Sequence, residues 1–540
     1  MRRLPPVAAI LLAGMLVAAA RSPESVVHIH VDASAPGYPI SPLIYGVSFG
    51  SAQVLRDLNV PLNRAGGNSA SLYNWRIDAR NAGADYFFES LPVRDPVRDQ
   101  FGRGFVALSR AGGAQAMLTV PLIGWTAKLG PGRTPLAGFS VAKYGPQRAT
   151  DRWMPDAGDG IDKENKSIRE NDPRDAATPT TIAEQQAWVR ALVDEWGTAA
   201  QGGVAYYLLD NEPSLWHLTH RAVRPVGAHA SEIADSVIAA SAMVKAVDPT
   251  ARIVAPEEWG WGGYHDSGFD QQLKATGGAM AQSDRRTQTG GMAYLPWLLT
   301  RWKQAGWPVD VVSVHFYPQG GEYGADQGAG SMEIQRLRNR STRLLWDRAY
   351  REESWIAQPV ALIPLLRQWV DRFYRAGTPI AITEYNWGGE DSMSGAVAQA
   401  DIWGILGRER LDIANRWPAP ASDTPTYLAM RMIRNYDGQG GAFGDRSLPT
   451  TVPDSDRVST YSARRSADGA LTLLIVNKQV DRAAQVAVDL TGAVAYKRLR
   501  TMRLANRKLA ALPAQAFAGR RIATRLPPQS VTMLVLEDAR

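Results

Sequence analysis

Two short apolar runs in this sequence stop abruptly at a glutamate. Val204 to Leu209 has the length and composition of a strand buried on both faces, and it ends in Asp210, Asn211 and Glu212. Pro213 closes it, because a proline has no N–H for a ladder, and it should push Glu212 towards an extended conformation. Later, Pro379-Ile-Ala-Ile-Thr383 delivers Glu384, followed by Tyr385, Asn386 and Trp387. If both runs are strands of one parallel barrel, both carboxyl groups stand at the carboxyl rim, where such barrels keep their chemistry. One carboxyl held protonated and one ionised are what double displacement at a sugar's anomeric carbon requires. Either motif alone reads equally well as an ordinary strand exit with a solvated acid. The pair, with so many aromatics beside it, favours chemistry.

The other strand ends supply side chains suited to a sugar. The candidates are Asn68, Trp75, Trp125, Asn211, Trp216, Trp259, Trp261, His315, Tyr317 and Trp387. The chain has 17 Trp, many of them just after strand ends, and flat indoles suit the C–H face of a pyranose. For any single Trp, core packing is the competing reading. His315 and Tyr317 lie on the strand preceding the one that carries Glu384, so the Tyr317 hydroxyl can bond that carboxylate and help keep it ionised. The seven His show neither HExxH nor HxH spacing, and no Walker loop, GxSxG elbow or dinucleotide fingerprint is present. No catalytic cofactor is expected.

Positioning these residues takes eight strand–helix pairs. The strands are read at Ser41–Phe49, Val60–Arg64, Ala116–Val120, Val204–Leu209, Arg252–Ala255, Val309–Val314 and 379–383, with an eighth at Gly441–Gly444 after Tyr427–Asn435. Helical spacing over Thr181–Trp196, Ser231–Val247, Met292–Ala305 and Pro364–Ala376 fits between them. This alternation describes an α/β chain, a (β/α)8 barrel over 41–450. From 451 to 540 short strands without strong helices suggest an accessory all-β sandwich, joined by an N-terminal strand within 26–40. Between Gly130 and Thr180 a polar stretch rich in Gly and Pro reads as an ordered excursion over the active-site face. Its acids, Asp151, Asp156, Asp159 and Asp162, could hold calcium, but they lack EF-hand spacing and read more simply as solvated turn acids.

Composition narrows the classes. The chain has 540 residues, 21% charged and 45% hydrophobic, ordinary values for a globular enzyme. Its net charge of +7 comes from scattered Lys and Arg without a dense basic run, which argues against a nucleic-acid partner. Met1 to Ala20 reads as a secretory signal: Arg2 and Arg3, an apolar run from Val7 to Val17, then Ala18-Ala19-Ala20. No other stretch reaches transmembrane length, and the absence of Cys excludes disulfides and thiol ligands. A secreted or periplasmic bacterial protein, a monomer free of the membrane once the signal is cleaved, is the expectation.

The segments Gly66-Gly67-Asn68, Tyr73-Asn74-Trp75, Pro121-Leu-Ile-Gly-Trp125, Asp210-Asn-Glu-Pro213, Thr219-His-Arg221, Pro256-Glu-Glu-Trp-Gly-Trp261, Ser313-Val-His-Phe-Tyr-Pro-Gln319 and Thr383-Glu-Tyr-Asn-Trp387 together resemble glycoside hydrolase family 44. The resemblance covers nearly the whole chain after the signal. It implies a retaining endo-β-1,4-glucanase acting on xyloglucan and related glucans, with Glu212 as acid/base and Glu384 as nucleophile. It also implies a structural calcium near the barrel mouth, placed at Glu89 and the Asp156/Asp159 loop. An exo-acting, β-xylosidase-like retaining glycosidase or a non-catalytic polysaccharide-binding protein are the alternatives. Two departures stand out. Ala65 replaces a Trp of the family pattern, removing one aromatic platform, and Ala222 and Arg224 replace an Asp and a His.

Overall fold

The computed structural model describes residues 26–93, 101–324, 328–492 and 496–538; the signal read over Met1–Ala20 lies outside the described residues. Eight parallel strands pair in chain order and close into a barrel: β1 Gly46–Ser48, β2 Leu62–Ala65, β3 Gln115–Val120, β4 Tyr206–Leu209, β5 Arg252–Glu258, β6 Val311–Phe316, β7 Ile380–Tyr385 and β8 Ile413–Arg416. Alternation along the strands divides the core. Leu62, Met117, Leu208, Val254, Val311 and Ala381 fill the barrel interior. Their neighbours Leu118, Tyr207, Ile253, Val312 and Ile382 face the surrounding helices. The strands therefore read as unbroken apolar runs rather than alternating ones.

The principal helices that follow the barrel strands are α1 Ala52–Asp57, α2 Arg103–Ala111, α3 Ile182–Trp196, α4 Ala230–Val247, α5 Tyr294–Gln304, α6 Leu362–Phe373, α7 Met393–Arg408 and α8 Pro425–Arg434. Thr181 caps α3, its hydroxyl accepting from the Glu184 amide. Among the described residues no helix is long and apolar enough to cross a membrane. The excursion after β3 is ordered. Trp125–Ala127 pairs with Ala177–Pro179, and Ala79–Asn81, Glu89–Pro92 and Leu136–Ala137 form a small antiparallel sheet.

Two strand assignments change. The first strand starts at Gly46, because Pro42–Tyr45 is a 3-10 turn with Pro42 in its first turn and Ser41 as its cap. The eighth is Ile413–Arg416 and not Gly441–Gly444. Tyr427 to Asn435 is largely the helix α8, and the segment after it carries the chain out of the barrel, with Gly444 N–H donating to Thr472 Oγ1.

Beyond the barrel, a four-stranded sheet and a seven-stranded sheet face each other across a separate apolar core that includes Val27, Ile29, Val488, Leu473, Ile475 and Leu534. Val27–Asp32 lies parallel to Ala484–Thr491 in the smaller sheet. The outer face of the larger sheet rests on α7 and α8, so α7 is buried between two β layers along nearly its whole length. Gly404 is needed there: a Cβ at that position would meet the Tyr461 ring at 2.1 Å. The seam is also ionic. Lys478 Nζ and an Asp401 oxygen lie 2.6 Å apart with side chains 2% and 0% exposed, and Tyr461 and Thr342 donate to the same carboxylate.

Candidate active site

The barrel's carboxyl rim gathers two buried carboxyls, Glu257 and Glu384, and a half-buried one, Glu212, around two cationic side chains. Arg64, pointing inward from β2, is fully buried. Its Nη1 donates to Glu384 Oε2 at 2.7 Å, and its Nη2 donates to Glu257 Oε2 at 3.0 Å and to Asn211 Oδ1 at 3.2 Å. Gly66 makes room for it, since a Cβ at 66 would lie 2.5 Å from the guanidinium carbon. Tyr317, just past β6, donates to Glu384 Oε1 at 2.6 Å. Both oxygens of Glu384 thus accept bonds that favour a charged carboxylate.

Glu212 has a different setting. One of its oxygens lies 2.9 Å from His315 Nδ1 and its amide donates to Glu257 O. Burial pushes its carboxyl up, the His315 hydrogen bond and charge pull the other way, and the Glu384 charge pushes up again. On the far side of the ring, His315 Nε2 lies 3.2 Å from Glu257 Oε2. Burial acts against a charged His315, yet Glu384 and the bonds to Glu212 and Glu257 push it up to about 9. Burial likewise opposes an ionised Glu257, but Arg64 and His315 hold it below the ordinary range. Glu258, next along, is buried against Ser214 Oγ at 2.5 Å and is pushed up to about 8 by burial. One ligand atom each from Glu212, His315 and Glu384 lie within 4.8 Å of one another. Arg64 and Tyr317 already engage Glu384 in that group.

Asp210, Glu212 and Glu257 have φ of 65°, 47° and 58°. Glu212 is therefore left-handed, not extended. Three strained non-glycine residues at adjacent strand ends mark a site whose geometry is imposed by its surroundings. Asp210 helps impose it by accepting from Ser71 Oγ and from the Leu122, Ile123 and Asn211 amides.

Other expected residues fall into three groups. Asn68 and Asn211 join the site: Asn211 Nδ2 donates to Asn68 Oδ1, and Asn68 donates to Asp85. Trp125, Trp259 and Trp261 are half-buried, with Trp259 Nε1 donating to Gln271 and Trp261 against His265 at 4.5 Å. Trp75 lines a hollow of about 350 Å³ with Trp188 and Asp78, apart from the carboxyl cluster. Trp216 and Trp387 are corrected: at 1% and 3% exposure they are core residues, bonded to Asn211 O and Ser341 Oγ, and offer no face to a sugar. Ala65 is buried on the helix-facing side of β2, so that position is not a platform in the cleft.

Glu89, Asp156 and Asp159 are not brought together. Asp156 accepts from the Ala142 amide and Asp159 is paired with Arg148. Glu89, pushed up to about 7 by burial and by Asp151, has an Oε1 without a hydrogen-bond partner. Glu89 with Asp151 is the oxygen pair that fits one edge of a hard cation's shell; the other two acids do not fit it.

Several site residues are not among the candidates read from the sequence: Arg64, Glu257, Glu258 and the rim aromatics Tyr323, Trp355 and Trp417. Tyr323 packs on Tyr317 at 4.8 Å between ring centres, and Trp355, 60% exposed, donates to Gln319. Trp417 covers Gly67, where a Cβ would come within 2.4 Å of the indole. Arg64 and Glu257 carried a usable signal, a charge at the inward end of an otherwise apolar strand.

A parallel barrel with two glutamates at the ends of β4 and β7 and an attached β-sandwich defines the class: a glycoside hydrolase of the (β/α)8 type. Residues 79–320 match glycoside hydrolase family 44. CelM2, a bifunctional glucanase-xylanase from a metagenome library, superposes with TM-score 0.91 at 47% identity, over 95% of this chain and 99% of that one. A family 44 xyloglucanase of Paenibacillus polymyxa, solved with xyloglucan, gives TM-score 0.76 at 27% identity over 95% and 100%. Endoglucanase A of Paenibacillus lautus is 29% identical over 485 residues, 85% of this chain and 64% of the relative. The β-mannanase/endoglucanase A of Caldicellulosiruptor saccharolyticus is 25% identical over 515 residues, 87% of this chain and 36% of the relative. The chain thus spans about two thirds and about a third of the length of these curated relatives. The chain belongs to glycoside hydrolase family 44.

Proposed function

We propose that this chain is an endo-acting, retaining hydrolase of β-1,4-glucans, xyloglucan and carboxymethylcellulose among them, working by double displacement between Glu212 and Glu384. The observation that carries the reading is the approach of the Glu212 and Glu384 oxygens to within 4.8 Å. A retaining pair stands about 5–5.5 Å apart, whereas an inverting pair leaves about 6.5–9.5 Å for a water.

The charges support one division of labour between the two acids. Arg64 and a protonated His315 contribute two positive charges, and Glu257 and Glu384 two negative ones, so neutrality leaves Glu212 protonated. Glu212 gives its proton to the leaving oxygen as Glu384 Oε attacks the anomeric carbon, breaking the glycosidic bond and forming a glycosyl ester. Glu384 is then neutral as the ester and Glu212 carries the negative charge in its place, so the site stays neutral and Glu212 no longer feels the repulsion of an ionised Glu384. A unit charge about 4 Å away is worth roughly 4 kcal/mol at an effective dielectric of about 20, enough to lower the Glu212 carboxyl by more than a unit. Glu212, now ionised, takes a proton from water, whose oxygen displaces Glu384 and restores the starting state.

Endo action is supported by rim aromatics on both sides of the acids: Trp355 and Tyr323 beside Tyr317, and Tyr86 with the exposed Trp153 beyond the Asn68–Asp85 pair. The protein acts as a secreted or periplasmic monomer, with residues 1–20 as its leader. A structural calcium would be held by Glu89 and Asp151, and EDTA should then lower the melting temperature of wild type but not of Glu89→Gln. The test of the activity is reducing-end release from xyloglucan and carboxymethylcellulose with a viscosity trace, for wild type and Glu384→Gln. A fast viscosity fall with few new ends, lost in the variant, is expected. Monosaccharide release at nearly constant viscosity would replace the endo reading with an exo one, and a fully active Glu384→Gln would end the assignment.

A further inference from the structure

We propose that Glu257, which no step of the double displacement consumes, is the fixed counter-charge that holds His315 cationic against Glu212 and so sets the upper pH limit of catalysis. The inference rests on the reading of Glu212 as acid/base. The Glu257 carboxylate is bonded to Arg64, His315 and Thr383, and it would act through His315 and Arg64, as a positioning residue.

The geometry is that of a built counter-ion. The Glu257 side chain is 0% exposed. Its Oε2 lies 3.0 Å from Arg64 Nη2 and 3.2 Å from His315 Nε2, and its Oε1 accepts from Thr383 Oγ1 at 2.7 Å. Its backbone is fixed as well, its amide bonded to Ser313 Oγ and its carbonyl accepting from the Glu212 amide. Arg64 Nη2 and His315 Nε2 are only 3.0 Å apart. Two cationic donors at that distance are tolerable because both point at one carboxylate oxygen. Without that charge the imidazolium would lose its proton and turn a lone pair to Arg64.

The groups that face this arrangement come from each neighbouring strand: Arg64 on β2, His315 on β6, Glu384 on β7 beyond Arg64, and Glu212 beyond the imidazole. Glu258 points away from it, to Ser214, with Tyr264 and Tyr294 around it. Asp85 and Tyr317 face the site from the Glu384 side. Glu212 and His315 share a hydrogen bond, so they titrate as a pair. Removing one buried negative charge beside the pair lets its protons leave at lower pH, whichever of the two carries them.

The experiment is the pH profile of kcat/KM on a soluble cellooligosaccharide for wild type, Glu257→Gln and Glu257→Asp. The upper limb of Glu257→Gln should move down by about one pH unit or more, the usual effect of a neighbouring opposite charge, while Glu257→Asp keeps the wild-type limb at a reduced rate. Equal loss at every pH with unmoved limbs would assign Glu257 a purely structural part and overturn the proposal. A second measurement needs no variant: ¹⁵N-histidine NMR of the wild type should show the His315 ring doubly protonated at pH 7, and a neutral ring there would overturn it too. Glu212→Gln separates this from the underlying reading. If the upper limb persists unchanged in that variant, the acid/base assignment has failed, irrespective of Glu257.

Discussion

Tyr317 and Arg64 divide the two oxygens of Glu384 between them. A hydrogen bond to a charged group is worth about 1.5–3 kcal/mol, so Tyr317→Phe should reduce kcat by roughly ten- to a hundred-fold and leave the melting temperature nearly unchanged. A stopped assay at saturating substrate with a parallel melt checks both halves. Trp355 makes a different demand. It stands exposed on the rim and its indole N–H reaches Gln319, which in turn bonds the Tyr317 carbonyl. Trp355→Ala should raise KM for polymeric glucan several-fold while leaving turnover of a short chromogenic glycoside near wild type, because the loss is binding shared by ground and transition states. Equal effects on both substrates would move Trp355 from the rim's binding surface into the catalytic framework. Glu212 and Glu384 were legible at this scale because a buried strand's apolar run ends sharply. Arg64 and Glu257 were only half so: a charge ending an apolar strand is visible in the sequence, but their partners lie 320 and 193 residues away in the chain, so their role is not. Trp216 and Trp387 show the same limit, since residue type does not tell which face of a turn a side chain takes.

At the scale of elements, α7 decides how the two parts of the molecule depend on each other. It is buried on the barrel side and on the sandwich side, and Asp401 at its middle meets Lys478 from the sandwich out of contact with water. Breaking a buried pair by removing one partner costs about 3–5 kcal/mol. Lys478→Ala should therefore lower unfolding stability by that amount, read as a lower urea midpoint, and chromogenic turnover by the folded fraction should stay unchanged. Four of the barrel helices, α3 to α6, and six of the barrel strands follow from periodicity and apolar runs. Ile413–Arg416 does not, because four residues with Asn415 and Arg416 among them carry no strand signal; the pairing of β8 with β7 and β1 comes from barrel closure. The first strand was read too long for a local reason, the turn that Pro42 and Ser41 begin.

The whole molecule carries a pH signature. Glu258 is raised to about 8 by burial. A raised carboxyl contributes stability that is complete below its unfolded value, near 4.5, and is lost as pH rises through the folded value. Its share of the stability should therefore decline between about pH 4.5 and 8. Glu258→Gln, which keeps the shape and a neutral partner for Ser214, should make the melting temperature fall less steeply over that window; an unchanged slope would mean that Glu258 does not hold its proton in the folded state.

The position of Val27–Asp32 bears on how the protein can be made at all. Among the described residues it is the first strand to leave the ribosome, yet it lies parallel to Ala484–Thr491 and also pairs with Thr450–Thr451. Its apolar side, Val27, Ile29 and Val31, must wait uncovered while more than four hundred residues are synthesised. During that interval it is an unpaired edge of the kind that seeds association between chains. Holding factors that bind exposed strands early in biogenesis should matter more to the yield of this protein than to one whose opening strand pairs with the next.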